Sequence, residues 1–201
     1  AIAVIVAMYF YSKKVIKKPM LWILDRVVIP VASGAIFVRI GNFINSEIIG
    51  KEVTDFPLGV QFLKDSIGAR QATIITKIKD PNKAYDAIAN DPEFAEILAS
   101  VPFRHPAQLY ESFGYIFVFL TLLYFYWKTD KSKQLGFLFG LFLVLLWTVR
   151  FFVEFVKEAQ VDTRGVWLLN TGQWLSIPFI VGGIYFMVQS YKKTYNSDPL
   201  S

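Results

Sequence analysis

Two polar segments hold the side chains of this chain that are best suited to chemistry. The first segment, Arg-Ile-Gly-Asn-Phe-Ile-Asn-Ser-Glu, comprises residues 39–47 and follows a long apolar stretch. Its arginine offers paired N–H donors that match an anionic group, and its two asparagines can hydrogen-bond hydroxyls. The alternative is an interfacial turn in which the asparagines cap helix ends and Gly41 gives the backbone freedom. We favour a binding site for an anionic headgroup that carries hydroxyls.

The second segment places Arg150 and Glu154 four residues apart inside an apolar run. This spacing allows two interpretations. The pair could hold one helix face together, or Arg150 could contact a phosphate while Glu154 orients the guanidinium. The two are equally supported by this segment alone. Because Arg39 is a second arginine expected at the same membrane depth, we favour the phosphate site.

Other polar residues stand where apolar helices are expected to begin. His105, Gln108 and Glu111 come before or open one such helix, and Gln173 opens another. His105 is the only histidine, which excludes a histidine metal cluster. By itself it is better explained as an interfacial residue bonded to its neighbours than as a headgroup contact or proton carrier.

The elements that must position these residues are membrane helices. Hydrophobic residues make up 54% of the 201 residues, and the mean hydropathy is +0.42. Long apolar runs of this kind are typical of helices that span a bilayer. We therefore predict an all-α polytopic membrane protein, a single transmembrane domain over 1–201 with an extracytoplasmic arm at 51–104. Its five helices are predicted at about 1–11 (too short to cross alone), 20–38, 109–127, 135–156 and 173–191.

Charges orient these helices. Lysines cluster after the first, third and last helices, so by the positive-inside rule these segments are expected in the cytoplasm and the arm outside. The pI near 9.3 then reflects lysines near anionic lipid rather than a nucleic-acid surface. Within the arm we predict a strand at 70–79 and one or two short helices at 82–100. The Asp25-Arg26 pair is interpreted as structural.

Further function classes are limited by what the sequence lacks. The absence of cysteine excludes disulfides, thiolate catalysis and cysteine metal sites. A transporter would be expected to show internal repeats and polar groups at the midplane, and neither is seen. A non-catalytic scaffold that binds anionic lipid stays open as an alternative.

Four motifs, in order along the chain, resemble those of the bacterial prolipoprotein diacylglyceryl transferases. The segment 39–47 completed by Gly50 resembles the family signature, and 105–111 (His-Pro-Ala-Gln-Leu-Tyr-Glu) resembles its His-Pro-x-Gln-x-Tyr-Glu motif. The Arg150 region and 171–178 (Thr-Gly-Gln-Trp-Leu-Ser-Ile-Pro) are similar to its later motifs. Val38 and Ser46 stand where the family usually has glycine.

This resemblance implies transfer of a diacylglyceryl group from phosphatidylglycerol to the lipobox cysteine of a prolipoprotein signal sequence, with release of glycerol phosphate. It implies a location in the bacterial inner membrane with the site toward the outer leaflet, and no metal or organic cofactor. Arg39 and Arg150 would be catalytic. The residues implied to bind substrate are Asn42, Asn45, Glu47, Gly50, His105, Gln108, Tyr110, Glu111, Glu154 and Gln173.

The resemblance also bears on the extent of the chain. Family members have seven helices, and a His-Gly motif with a proposed catalytic histidine precedes the position that matches Ala1. We therefore expect residues 1–201 to be a fragment with the last five helices, and to be inactive alone.

Overall fold

The computed structural model describes residues 2–54, 56–157 and 169–192. The described part is mainly helical, with one sheet in which β1 (Val60–Gln61) pairs antiparallel with β2 (Phe103–Arg104). The helices are α1 (Ile2–Phe10), α2 (Met20–Ile44), α3 (Leu63–Ser66), α4 (Ala69–Thr76), α5 (Pro81–Asn90), α6 (Ala95–Ser100), α7 (Ala107–Lys128), α8 (Phe137–Val153) and α9 (Thr171–Ser190).

Three of these helices are long and apolar enough to cross a membrane. They are α2, α7 and α9, with 25, 22 and 20 residues. Helix α8 is apolar but has only 17 residues. It begins two residues later and ends three residues earlier than the predicted 135–156. The prediction of an all-α polytopic membrane protein is confirmed.

The chain divides into two compact units, which are described separately. Within the described residues, the first unit comprises 2–37, 111–154 and 169–192. Its core is formed by apolar residues of α2, α7 and α8, whose burial in the closely packed helices fixes their faces. These core residues are Val28, Ala32, Val118, Leu122, Phe137, Leu138, Leu141 and Phe142.

Asp25 caps the start of α8 from another helix. Its Oδ2 accepts from the backbone N–H of Gly136 at 2.7 Å, and its Oδ1 accepts from that of Phe139 at 2.8 Å. Gly136 has φ 91°, a left-handed conformation that glycine adopts without strain. A carboxylate at a helix N-terminus satisfies N–H groups that have no partner within the helix. Asp25 therefore has the structural role that was predicted.

Helices α8 and α9 approach closely at a pair of glycines. A Cβ added to Gly140 would lie 2.6 Å from the carbonyl oxygen of Gly183, and one added to Gly183 would lie 2.7 Å from that of Gly140. Further along, the rings of Trp147 and Phe179 stack at 4.1 Å between centroids. Small residues at such crossings let helix backbones pack directly in a membrane.

The second unit comprises described residues 38–54, 56–110 and 155–157, and contains the arm with a small core of its own. The core residues of the arm are Ile67, Ala72, Ala84, Tyr85, Ile88 and Val101. The hydroxyl of Tyr85 donates to the carbonyl of Ile67 at 2.8 Å, and burial raises the pKa of Tyr85 above its ordinary value.

One prediction for the arm is wrong and one is confirmed. Residues 70–79 do not form a strand, since α4 covers most of them; Ala72 and Ile75 pack into the arm core at helical spacing, so burial favoured a helix over β-branched propensity. The short helices in 82–100 are confirmed as α5 and α6, separated by a 3₁₀ turn at Pro92–Phe94. Asp91 caps that turn, with its Oδ1 accepting from the N–H of Glu93 at 3.0 Å.

Candidate functional site

The motif at 39–47 begins inside helix α2. Arg39 and Asn42 lie in the last turns of this helix, which ends at Ile44, so the prediction that both follow the helix is wrong. The apolar residues between them continue the helix, and Gly41 has a helical backbone rather than the freedom proposed above. The left-handed residues are instead Ser46 (φ 58°) and Ile48 (φ 57°), on either side of Glu47.

Three atoms of Glu47 form hydrogen bonds in this bend, which Ser46 and Ile48 define. Its N–H donates to the carbonyl of Asn42 at 2.8 Å, and its Oε2 accepts from Asn42 Nδ2 at 2.9 Å. Its carbonyl accepts from Gln108 Nε2 at 2.6 Å. Arg39 Nη1 extends the series toward Asn42 Oδ1 at 3.5 Å, the outer limit of a hydrogen bond. Four motif residues are thus brought together around a strained turn.

The side chain of Gln108 is completely buried, at 0% exposure. Its Nε2 is committed to Glu47, whereas its Oε1 is buried with no hydrogen-bond partner among the described residues. A buried acceptor of this kind is costly and is typical of a site that is completed by a ligand. One buried acceptor next to Glu47 therefore has no partner among the described residues.

His105, Gly50 and Tyr110 form a second contact set in the same unit. Tyr110 Oη lies 3.2 Å from His105 Nδ1, and the ring of Phe56 packs edge-on against His105 at 4.7 Å. The N–H of Gly50 donates to the His105 carbonyl at 3.0 Å. A Cβ at Gly50 would lie 2.6 Å from His105 Cβ and 2.8 Å from the carbonyl oxygen of Val156. Gly50 is thus required for close backbone packing.

Arg150 and Glu154 lie in the first unit and have different environments. The Arg150 guanidinium carbon lies 5.2 Å from the centre of the Trp147 ring. No ion pair joins Arg150 to Glu154 among the residues that the structure describes. The Glu154 carboxylate instead lies against Gly172 in the first turn of α9, where a Cβ would be 2.5 and 2.8 Å from its two oxygens. A carboxylate is favoured at a helix N-terminus.

Gln173 is buried in the capping box of α9. Its N–H donates to Asn170 Oδ1 at 3.0 Å, and its Oε1 accepts from the N–H of Asn170 at 3.1 Å. Glu111 is also completely buried, in α7, whereas Asn45 is exposed just after α2. The structure thus distributes the predicted residues between two groups: Arg150, Glu154, Glu111 and Gln173 in the first unit, and the other eight in the second.

Sequence reasoning missed three participants. Asn170 with Gln173 has the spacing of a capping box, a signal that was available. Phe56 gave no signal, since a single phenylalanine after a polar loop is common. Lys157 was also missed. It forms an isolated antiparallel bridge with Gly50, and next to it the N–H of Lys51 donates to the Val156 carbonyl at 2.8 Å.

Among the described residues, no group of three His, Asp or Glu side chains is placed to hold a metal ion.

Comparison with known proteins decides the family. A model described as prolipoprotein diacylglyceryl transferase matches residues 1–189. The chain belongs to this family. Three relatives are named phosphatidylglycerol–prolipoprotein diacylglyceryl transferase.

These relatives come from different bacteria. The protein of Tolumonas auensis is 37% identical over 192 residues, which cover 96% of this chain and 60% of the relative. That of Bacteroides fragilis is 36% identical, with 96% and 56% covered. That of Chloroherpeton thalassium is 34% identical over 194 residues, with 96% and 59% covered. The chain therefore spans about 60% of the length of these family members.

Proposed function

We propose that this chain belongs to an enzyme that transfers the diacylglyceryl group of phosphatidylglycerol to the lipobox cysteine of a prolipoprotein signal sequence, releasing glycerol phosphate. The family, the names of the relatives and the membrane-spanning helices support this proposal. The substrates are accordingly phosphatidylglycerol and the signal sequence, both presented at a membrane. No nucleic acid is proposed as a partner, and no metal or organic cofactor.

The buried amide of Gln108 carries the proposal on the structural side. Its free Oε1 accepts a hydrogen bond from a glycerol hydroxyl of the headgroup, while its Nε2 fixes Glu47. Asn42 and Glu47 offer further hydrogen-bonding atoms in the same network. A site built to bond hydroxyls discriminates strongly against a lipid that lacks them. We therefore assign the glycerol headgroup to this network.

The reaction itself needs charge stabilisation more than acid chemistry. The cysteine thiol loses its proton to solvent, the sulfur bonds to the terminal glyceryl carbon of the lipid, and the bond from that carbon to a phosphate oxygen breaks. The released phosphate keeps the bonding electrons and gains negative charge. Arg39 stabilises this charge as it develops, which lowers the barrier more than binding the intact lipid would. Arg150 is proposed as a catalytic residue on its motif alone.

The other motif residues are proposed to bind substrate within their own units. His105 with Tyr110 lines the second contact set and contacts the headgroup or signal sequence there. Glu154 and Gln173 act through the start of α9, and Gly50 through close packing on His105. Asn45, exposed after α2, and the buried Glu111 complete the proposed substrate-binding residues.

Arg39→Lys tests the assignment of charge stabilisation. We expect turnover to fall about 100-fold or more, because an ammonium group cannot reproduce the paired donors of a guanidinium in the transition state. Release of glycerol phosphate from phosphatidylglycerol, with a lipobox peptide as acceptor, measures this in the full-length enzyme. Arg70→Lys is the matched control, since Arg70 is exposed on α4.

The outcomes separate the alternatives. A rate near that of the unsubstituted enzyme would contradict the role of Arg39. Binding of phosphatidylglycerol with no release of glycerol phosphate by the unsubstituted full-length protein would instead support a non-catalytic lipid-binding scaffold.

We further propose that the protein lies in the bacterial inner membrane, as one transmembrane domain, with the arm and the site on the outer side. The distribution of lysines supports this orientation. Because the chain has no cysteine, Lys64→Cys in the arm and Lys131→Cys after α7 can be labelled singly in intact cells. An impermeant maleimide is expected to label only the first. Equal labelling of both would refute the orientation.

A further inference from the structure

Three apolar side chains of the second unit are exposed next to one another, and we name them the apolar patch. They are Phe56, Leu58 and Phe103, with exposed fractions of 36%, 62% and 49%. The proposed headgroup network does not use them. Single exposed apolar residues need no explanation, but a contiguous group marks a surface that another phase or molecule covers.

Backbone contacts bring the patch together. The N–H of Gly59 donates to the Phe56 carbonyl at 2.9 Å, which closes a turn around Leu58. A Cβ on Gly59 would lie 3.2 Å from Phe103 Cβ, and the Val53 N–H donates to the Phe103 carbonyl at 2.8 Å. The patch is therefore a fixed feature of the turn and of β2, rather than a chance exposure of loose side chains.

The polarity of β2 is the reverse of that found in a strand facing water. Neighbouring residues of a strand point to opposite sides. Here Phe103 points outward, whereas the side chain of Arg104 is only 12% exposed and pairs with Glu52 at 2.8 Å. In water the hydrophobic effect favours the opposite arrangement. An apolar side turned outward and a charge turned inward are expected where the outer surroundings are lipid.

Chain connectivity shows which surroundings are within reach. Phe103 precedes the membrane-spanning helix α7 by four residues, a distance of at most about 14 Å even for extended chain. The ring of Phe56 packs on His105, two residues before the same helix. Phenylalanine and leucine are typical of the apolar face of segments that lie in the membrane interface, where they reach the boundary between headgroups and acyl chains.

We propose that the apolar patch is a membrane anchor, which inserts Phe56, Leu58 and Phe103 into the interface of the bilayer that α7 crosses. Its occupant is the lipid surface itself, at the boundary between headgroups and acyl chains. The anchor holds the segment that carries His105 at the level of the lipid headgroups. This inference rests on the membrane-spanning helices and does not require the proposed transfer reaction.

A single cysteine tests the anchor, because the chain contains none. Leu58→Cys is labelled with bimane in the full chain, and the protein is reconstituted into nanodiscs of phosphatidylglycerol and phosphatidylcholine. Asp86→Cys, at an exposed position on α5, is the matched control. We expect the Leu58 probe to emit at shorter wavelength and to lose emission when the nanodiscs contain doxyl-labelled lipid. The control probe is expected to be quenched by aqueous iodide instead.

Three results would overturn the proposal. Quenching of the Leu58 probe by iodide as strong as that of the control would mean that the patch faces water. A blue-shifted probe that neither iodide nor doxyl lipid quenches would mean that another part of the protein covers it. A probe that leaves water only when a lipobox peptide is added would assign the patch to the signal sequence.

Discussion

Replacing Gln108 with leucine removes the side-chain donor that holds Glu47 while keeping a side chain of similar size. Gln108 Nε2 lies 2.6 Å from the Glu47 carbonyl, across 61 residues of sequence and without exposure to solvent. Glu47 stands between Ser46 and Ile48, both of which have left-handed backbones. Each left-handed residue costs about 1–2 kcal/mol, so the bend needs such a tie to persist.

The size of the effect follows from the lost bond. The bond from Gln108 to the Glu47 carbonyl is partly buried, and an acceptor left without its donor there costs at most about 1–3 kcal/mol. If this cost raises the free energy of the closed turn around Glu47 and nothing else, the population of the open turn rises roughly 5- to 150-fold. The leucine also removes the buried Oε1, which lacks a described partner, so the free energy of global unfolding is expected to change less than the local opening.

Hydrogen exchange of the Glu47 amide measures this opening, because that N–H is bonded to the Asn42 carbonyl at 2.8 Å. We expect exchange in Gln108→Leu to be roughly 5- to 150-fold faster, by the same bond energy. Gln71→Leu, at an exposed position of α4, is the control and is expected to leave the amide unchanged. Unchanged exchange in Gln108→Leu would show that the bend does not depend on this bond, and the reasoning would be refuted.

Two further predictions concern the backbone of the same motif. Gly50→Ala is expected to destabilise the protein by about 1–3 kcal/mol, because the added Cβ would overlap His105. Gly41→Ala, which has open space around it, should be neutral or slightly stabilising. Thermal unfolding in nanodiscs compares the two variants, and equal unfolding midpoints would contradict the packing argument. Ser46→Gly is expected to stabilise by roughly 0.5–1 kcal/mol, because relief of the left-handed strain exceeds the entropy that glycine loses on folding; a lowered midpoint would contradict this.

The sequence by itself determined the membrane class, the family and most of the helices. Runs of about 20 apolar residues can be buried only in lipid or in a helical bundle, so α2, α7 and α9 could be recognised from length and composition. The short helices of the arm were marked by local signals such as Asp91-Pro92. The motifs named the polar residues, because residue type and spacing are properties of the chain alone.

Only the tertiary structure decided what those residues contact. The tie from Gln108 to Glu47 and the cap that Asp25 gives to α8 join residues 61 and more than 100 positions apart. Burial also overrode local propensity, since α4 replaced the strand expected at 70–79. Such outcomes depend on which surfaces meet, and a pattern within one segment does not contain that information. The same is true of the apolar patch, in which Gly59 lets the turn that carries Phe56 and Leu58 pack closely against strand β2.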